Sequence, residues 1–142
     1  MPVFFFKEGV SFRLTHQEAL KKWIVRACRE NKATIIGINY IFCSDKYLLR
    51  LNREYLNHHY YTDIITFDNS SARGFLEADI FISVDRVRAN AAKFKTTFSD
   101  ELHRVMIHGA LHLMGYDDKN AMDEHNMRRA EDYWLAKRRF QK

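Results

Sequence analysis

Apolar and polar residues alternate most regularly over residues 35–43, where Ile36, Ile38, Tyr40 and Phe42 share one face. Ile35, Gly37, Asn39 and Ile41 occupy the other, and this β-branched run predicts a strand. Residues 3–6 and 64–67 read as shorter strands. Leu76, Ala78, Ile80, Ile82 and Val84 alternate against Glu77, Asp79, Phe81 and Ser83 to give a fourth. Residues 69–74, between the last two strands, predict a hairpin-type turn. Helical spacing governs the rest. Thr15 is the expected N-cap of a helix whose apolar stripe is Ala19, Leu20, Trp23, Ile24, Ala27 and Cys28. Ser44 is expected to cap a second helix with Leu48, Leu51 and Tyr55 on one face. Val84, Val87, Ala91 and Phe94 start a helical second half. Ser99 is the expected cap of a helix that runs to about Met114 and stops at Gly115, a residue suited to the left-handed position after a helix. A last helix turns Met127, Ala130 and Trp134 inward. The order predicts an α/β or α+β fold, with a four-stranded mixed sheet covered by helices.

Composition narrows this picture. The chain has 142 residues, 46% of them hydrophobic and 14% aromatic, with a single Pro. That excludes a disordered chain, which lacks the apolar material to offset chain entropy. A domain of this length buries roughly two-thirds of its extended surface, so no disulfide staple is needed. No repeat or linker interrupts the sequence, and residues 1–142 read as one domain. Cys28 and Cys43 lie far apart and form no CxxC pair, as expected of buried thiols in a cytosolic protein. The apolar start is too short for a signal-peptide core, and no run reaches the ~18 apolar residues of a membrane span. A cytoplasmic location with no membrane partner is expected. A net charge of +5 favours an acidic partner, nucleic acid being the commonest in cytosol.

The segment from His108 to Asp118 carries the chemistry. His108 and His112 are four residues apart, so one helix face aims both imidazoles at the same point. Gly115 ends the helix three residues later and lets the chain reverse. The residue six past His112 can then return to a metal held by the histidines. That layout copies the HxxxHxxGxx(ligand) geometry of metzincin-type zinc sites, with Asp118 in the third place. Asp117 and His125 are the alternatives. Three protein ligands and an open position are what a catalytic zinc requires. In HExxH sites the glutamate beside the first histidine is the general base. Gly109 stands there, which argues against a protease.

The run His108-Gly-Ala-Leu-His112-Leu-Met-Gly-Tyr-Asp117 resembles the HGxLHLxGYDH signature of the YbeY family of bacterial endoribonucleases. Leu51-Asn52 with residues 62–67 resembles the family's LN…TDVLSF segment. Residues 77–83 resemble its GDIxIS strand, and Leu102-His103 its approach to the motif. The resemblance implies a metal-dependent single-strand endoribonuclease, usually assigned one Zn²⁺ per chain. Its expected partners are ribosomal RNA and the small ribosomal subunit, in 3′-end maturation and late quality control. It also implies a central helix bearing the metal, a four-stranded mixed sheet and flanking helices. Two departures stand out. Asp118 replaces the family's third histidine, and Leu56 replaces a family arginine. Arg53, Arg73 and Arg104 could substitute for that cation. Arg104, four residues before His108 on the same face, is the easiest geometrically and is the expected catalytic cation. Loss of both family residues also raises a rival reading, a non-catalytic assembly factor that a metal stabilises.

The remaining candidates have plainer readings. His58, His59, Tyr60 and Tyr61 could stack on unpaired RNA bases or simply form a polar loop with aromatic tips. Asp79 could orient a ligand histidine or face solvent. His103, which matches the family block, could support a ligand histidine or serve packing. The basic faces of the first helix and of Arg128, Arg129, Arg138 and Arg139 read as solvated surface unless they line one groove.

Overall fold

The computed structural model describes residues 2–140. Four strands and five helices follow one another as β1 (Val3–Glu8), α1 (Gln17–Glu30), β2 (Thr34–Cys43), α2 (Asp45–Leu56), β3 (Ile64–Asp68), β4 (Phe75–Ser83), α3 (Val84–Lys93), α4 (Phe98–Leu113) and α5 (Ala121–Ala136). The sheet order is β1-β2-β4-β3. The first three strands in that order run parallel, and β3 is antiparallel to β4 through the 69–74 turn. The fold is α+β with a mixed four-stranded sheet, as the alternation implied.

Helix α4 lies at the centre. Nine of its residues from Glu101 to Leu111 are buried, and it packs on β3, β4, α1, α3 and α5. A helix so enclosed must be apolar on most sides and must fit closely. Gly109 is the point of closest approach. A Cβ there would stand 3.0 Å from the Ile64 Cδ1 and 3.2 Å from Ile80. The 109 position therefore faces the sheet, and any side chain there would press on Ile64 and Ile80. The buried Tyr40 hydroxyl donates to the Met106 carbonyl (2.8 Å), and Trp23 Nε1 donates to the Trp134 carbonyl (2.7 Å). These bonds satisfy polar groups that burial would otherwise leave costly. Cys28 and Cys43 are buried free thiols, and burial pushes both up to about 12.

Several termini differ from the sequence reading. Helix α1 begins at Gln17 after His16, which adopts a left-handed conformation (φ 58°) and caps nothing with its side chain; Thr15 lies outside the helix. Burial of Phe12 and Leu14 fixes the chain's entry instead, and Gln17 Nε2 donates to the Leu14 carbonyl. Thr97, two residues before Ser99, caps α4 by accepting from the Asp100 amide. Ser44 caps α2 as expected. Tyr55, expected beside Leu48 and Leu51, is 66% exposed with its ring edge-on to Phe67. The buried residue at that end of α2 is Asn52. Among the described residues, no helix is long and apolar enough to cross a membrane.

Candidate metal centre

His108 and His112 project from successive turns of α4 into a cleft of about 710 Å³ between α4, α5, β3 and the end of α2. Past Leu113 the chain turns through Met114 and Gly115, whose φ of 106° is open to glycine and strained for other residues. The Tyr116 amide donates to the Leu111 carbonyl and the Gly115 amide to that of His112, closing the helix end. This reversal returns Asp118 to the cleft, its Oδ2 3.6 Å from His108 Nε2. Asp117 lines a separate hollow with Asp123 and Arg129, and His125 is exposed outside the cleft lining. Of the three candidates for a third donor, only Asp118 faces the histidines' cleft.

Both imidazoles are oriented through Nδ1. That of His108 donates to Glu131 Oε2 at 2.7 Å, and that of His112 to the Tyr116 carbonyl at 3.1 Å. Each ring is thereby left with Nε2 for another partner. Carboxylate or carbonyl acceptors on the far nitrogen are the usual support of a metal-ligating histidine. Two imidazoles and a carboxylate form a donor set suited to a divalent transition metal. As the side chains stand, no group of three His, Cys, Asp or Glu among the described residues is drawn together tightly enough to enclose an ion. Burial works against protonation of His108, but the bond to Glu131 and the charges of Glu131, Asp118 and Asp63 outweigh it, leaving its pKa raised.

Glu131 was missed in the sequence. It is 5% exposed and bonds Arg104 Nη1 through Oε1 (2.8 Å) while holding His108 through Oε2. Its signal was available, since it falls between Met127 and Trp134 in the inward stripe of α5, where a lone carboxylate needs a reason. Arg104 lines the cleft as expected, yet its guanidinium is engaged by Glu131 and, through Nη2, by Asp132 at 2.6 Å. Arg53 and Arg73 do not line the cleft, whereas Leu56 does. Arg128, read as solvated surface, is a second arginine in the lining and forms no ion pair among the described residues. Asp63 and Glu101 also line it. Burial raises the pKa of both carboxyls, and the neighbouring charge of Asp63 raises that of Glu101 further.

Two candidates lie elsewhere. Asp79 accepts from Asn39 Nδ2 across the strands (3.0 Å), in the register that points away from α4. His103 packs between Trp23 and Phe140, and its Nδ1 accepts from Arg138 (2.7 Å).

The family model described as endoribonuclease YbeY matches residues 7–139. The chain belongs to the YbeY family. The YbeY endoribonuclease of Cytophaga hutchinsonii is 50% identical over 138 residues, covering 97% of this chain and 96% of that one. The YbeY endoribonuclease of Porphyromonas gingivalis is 46% identical over 132 residues, 93% of this chain and 87% of that protein. The fold matches a Thermotoga maritima protein solved in solution, with a TM-score of 0.67 at 24% identity over 94% of this chain and 86% of that one. These relatives carry an enzyme's name, so the non-catalytic assembly reading is not favoured. YbeY membership makes this chain a hydrolase of RNA phosphodiester bonds.

Proposed function

We propose that this YbeY chain is a zinc-dependent endoribonuclease of the cytoplasm that matures small-subunit ribosomal RNA at its 3′ end. The ligands in this reading are His108, His112 and Asp118. What supports it is the orientation of the imidazoles: Glu131 and the Tyr116 carbonyl accept hydrogen bonds from their Nδ1, and His108 Nε2 stands next to Asp118. When bound, the metal would supply an electrophile for a phosphoryl oxygen and an acidified water. The protein's own residues do the rest. Glu131 holds the His108 ring, and Arg104 holds Glu131 by occupying its second oxygen. Arg104 thus acts through Glu131 instead of touching the phosphoryl group. Arg128, unpaired in the cleft lining, is placed to meet an RNA phosphate. Leu56, His58 and Tyr60 border the cleft on the α2 side.

The decisive measurement is the metal content of protein purified without chelator, together with cleavage of single-stranded RNA. Native protein should carry near-stoichiometric zinc. Asp118→His should keep it, because both residues offer one good donor at that position. Asp118→Ala should weaken zinc binding by at least tenfold to a hundredfold, the loss common even for residues that merely support ligands. Full metal content in Asp118→Ala would remove Asp118 from the ligand set.

A further inference from the structure

Between α2 and β3 lies a seven-residue loop, residues 57–63, with four ring side chains in a row, His58, His59, Tyr60 and Tyr61. It is not loose. Asn52, 1% exposed, grips it at two points: its side-chain amide donates to the Tyr60 carbonyl (2.9 Å), and its own carbonyl accepts from the His58 amide (3.0 Å). Asn57, with φ 54°, makes the turn into it. The His58 and Tyr60 rings stack at 5.1 Å with only 19° between their planes, and the Tyr60 hydroxyl stands 3.0 Å from His58 Nδ1. A buried asparagine, two backbone anchors and a ring pair thus fix the position of a side chain that remains 57% exposed.

Exposed aromatic surface is common, but its position here is selective. Among the described residues, eight large aromatic side chains are more than two-fifths exposed, and of these only Tyr60 and Phe94 line the metal-centre cleft. Tyr61, the next residue, is already covered by the Arg86 guanidinium at 5.1 Å from its ring centroid. Phe94, at the end of α3, is also 57% exposed, with the Lys93 ammonium 5.5 Å from its ring centroid. Phosphate alone is poorly matched to this lining. Asp63, Glu101, Asp118, Glu124 and Glu131 face it against Arg104 and Arg128, and Arg104 is already neutralised by its carboxylate partners. The uncharged faces of an RNA strand are better suited to this border than its backbone.

We propose that Tyr60, backed by His58, is a stacking platform for an unpaired nucleobase next to the scissile phosphate, with Phe94 as a second ring contact in the same cleft. Stacking tolerates any base, because every base has a π-face, so the platform selects single strands over duplex instead of selecting a sequence. A paired base is already stacked between its neighbours and cannot be offered to a ring at the protein surface. This inference rests on the reading of the cleft as the RNA site.

The test is binding of a short single-stranded RNA carrying 2-aminopurine, under conditions where the intact strand is recovered. An otherwise identical strand with an abasic position serves as comparison. Native protein should quench the fluorophore. Tyr60→Ala should weaken binding by about fivefold to a hundredfold, the range of one lost base–ring stack. Tyr60→Phe should restore it, and Phe75→Ala, an exposed ring outside the cleft, should change nothing. The abasic strand should bind native protein and Tyr60→Ala alike. Both substituted side chains are largely solvent-exposed, and unchanged melting would confirm that folding is intact. Equal binding of base-bearing and abasic strands by native protein would overturn the platform while leaving the cleft reading in place. Failure of native protein to bind either strand would instead overturn the cleft reading itself.

Discussion

His103 shows how a histidine that resembles the family motif can serve packing alone. Burial, together with the adjacent Arg138 guanidinium, lowers its pKa to about 4. Asp100 and His16 also act on it, in opposite directions. Its ring stands between Trp23 and Phe140, and its Nδ1 accepts from Arg138, a bond that only the neutral imidazole can accept. Arg138 itself is held further by Asp100 at 3.0 Å. Between the ordinary value of 6.5 and about 4, the unfolded chain takes up a proton that the folded chain refuses. Stability from this residue is therefore complete above that window, falls as pH falls through it, and is flat beneath. The full effect is on the order of 3 kcal/mol. Chemical denaturation across the window should show this loss for native protein, and His103→Phe should remove that part of the slope. An unchanged slope in His103→Phe would assign the acid sensitivity to other groups. Asp118 presents the opposite case, since the reversal after α4, and not burial, brings it to His108.

The elements were legible where one physical signal dominated. Period-two patterning located β2 and β4, and the spacing of His108, His112 and Gly115 located the histidine-bearing face of α4 and its end. Legibility failed where tertiary contacts decided. Burial of Phe12 and Leu14 set the start of α1, and the grip of Asn52 on the next loop displaced Tyr55 from the buried face. The inward stripe of α5 pointed to Glu131, but its partners, Arg104 and His108, are 27 and 23 residues away in sequence and no local pattern named them. Gly109 was noticed for the glutamate it lacks, while its structural task is close packing. In an open helix Gly→Ala gains about 1 kcal/mol. Here the new methyl meets Ile64 and the fully buried Ile80, and overpacking a dense core costs about 1–3 kcal/mol. Gly109→Ala should thus destabilise the protein by about 1 kcal/mol net in thermal or chemical unfolding. Adding Ile64→Val, which removes the nearest atom, should recover part of the loss. Stabilisation by Gly109→Ala alone would mean that β3 and β4 give way more readily than this packing implies.

On the scale of the molecule, charge is divided unevenly. The chain carries 23 Lys and Arg against 18 Asp and Glu, for a net +5, yet the cleft is lined by five carboxylates and two guanidiniums. Part of the basic surface is paired internally, as Arg26 is with Glu30 and Lys21 with Glu18. RNA approaching the cleft therefore meets local repulsion from these carboxylates. A divalent cation at the His108–His112–Asp118 face would reverse the balance near the scissile phosphate. RNA affinity should depend on metal even where no bond is cut. Binding of a single-stranded RNA, followed by anisotropy across a salt series, should be severalfold weaker after chelation at low salt. The gap should close as salt screens the carboxylates. The slope of log affinity against log salt should fall by roughly 0.7 in Arg128→Ala, the value of one phosphate contact on a single strand. Substituting Arg104, whose charge is taken up by Glu131 and Asp132, should change that slope far less. If chelated and metal-loaded protein bind RNA equally at every salt concentration, the strand does not pass through this cleft. The same result, joined to a full slope in Arg128→Ala, would carry the RNA path elsewhere over the basic surface.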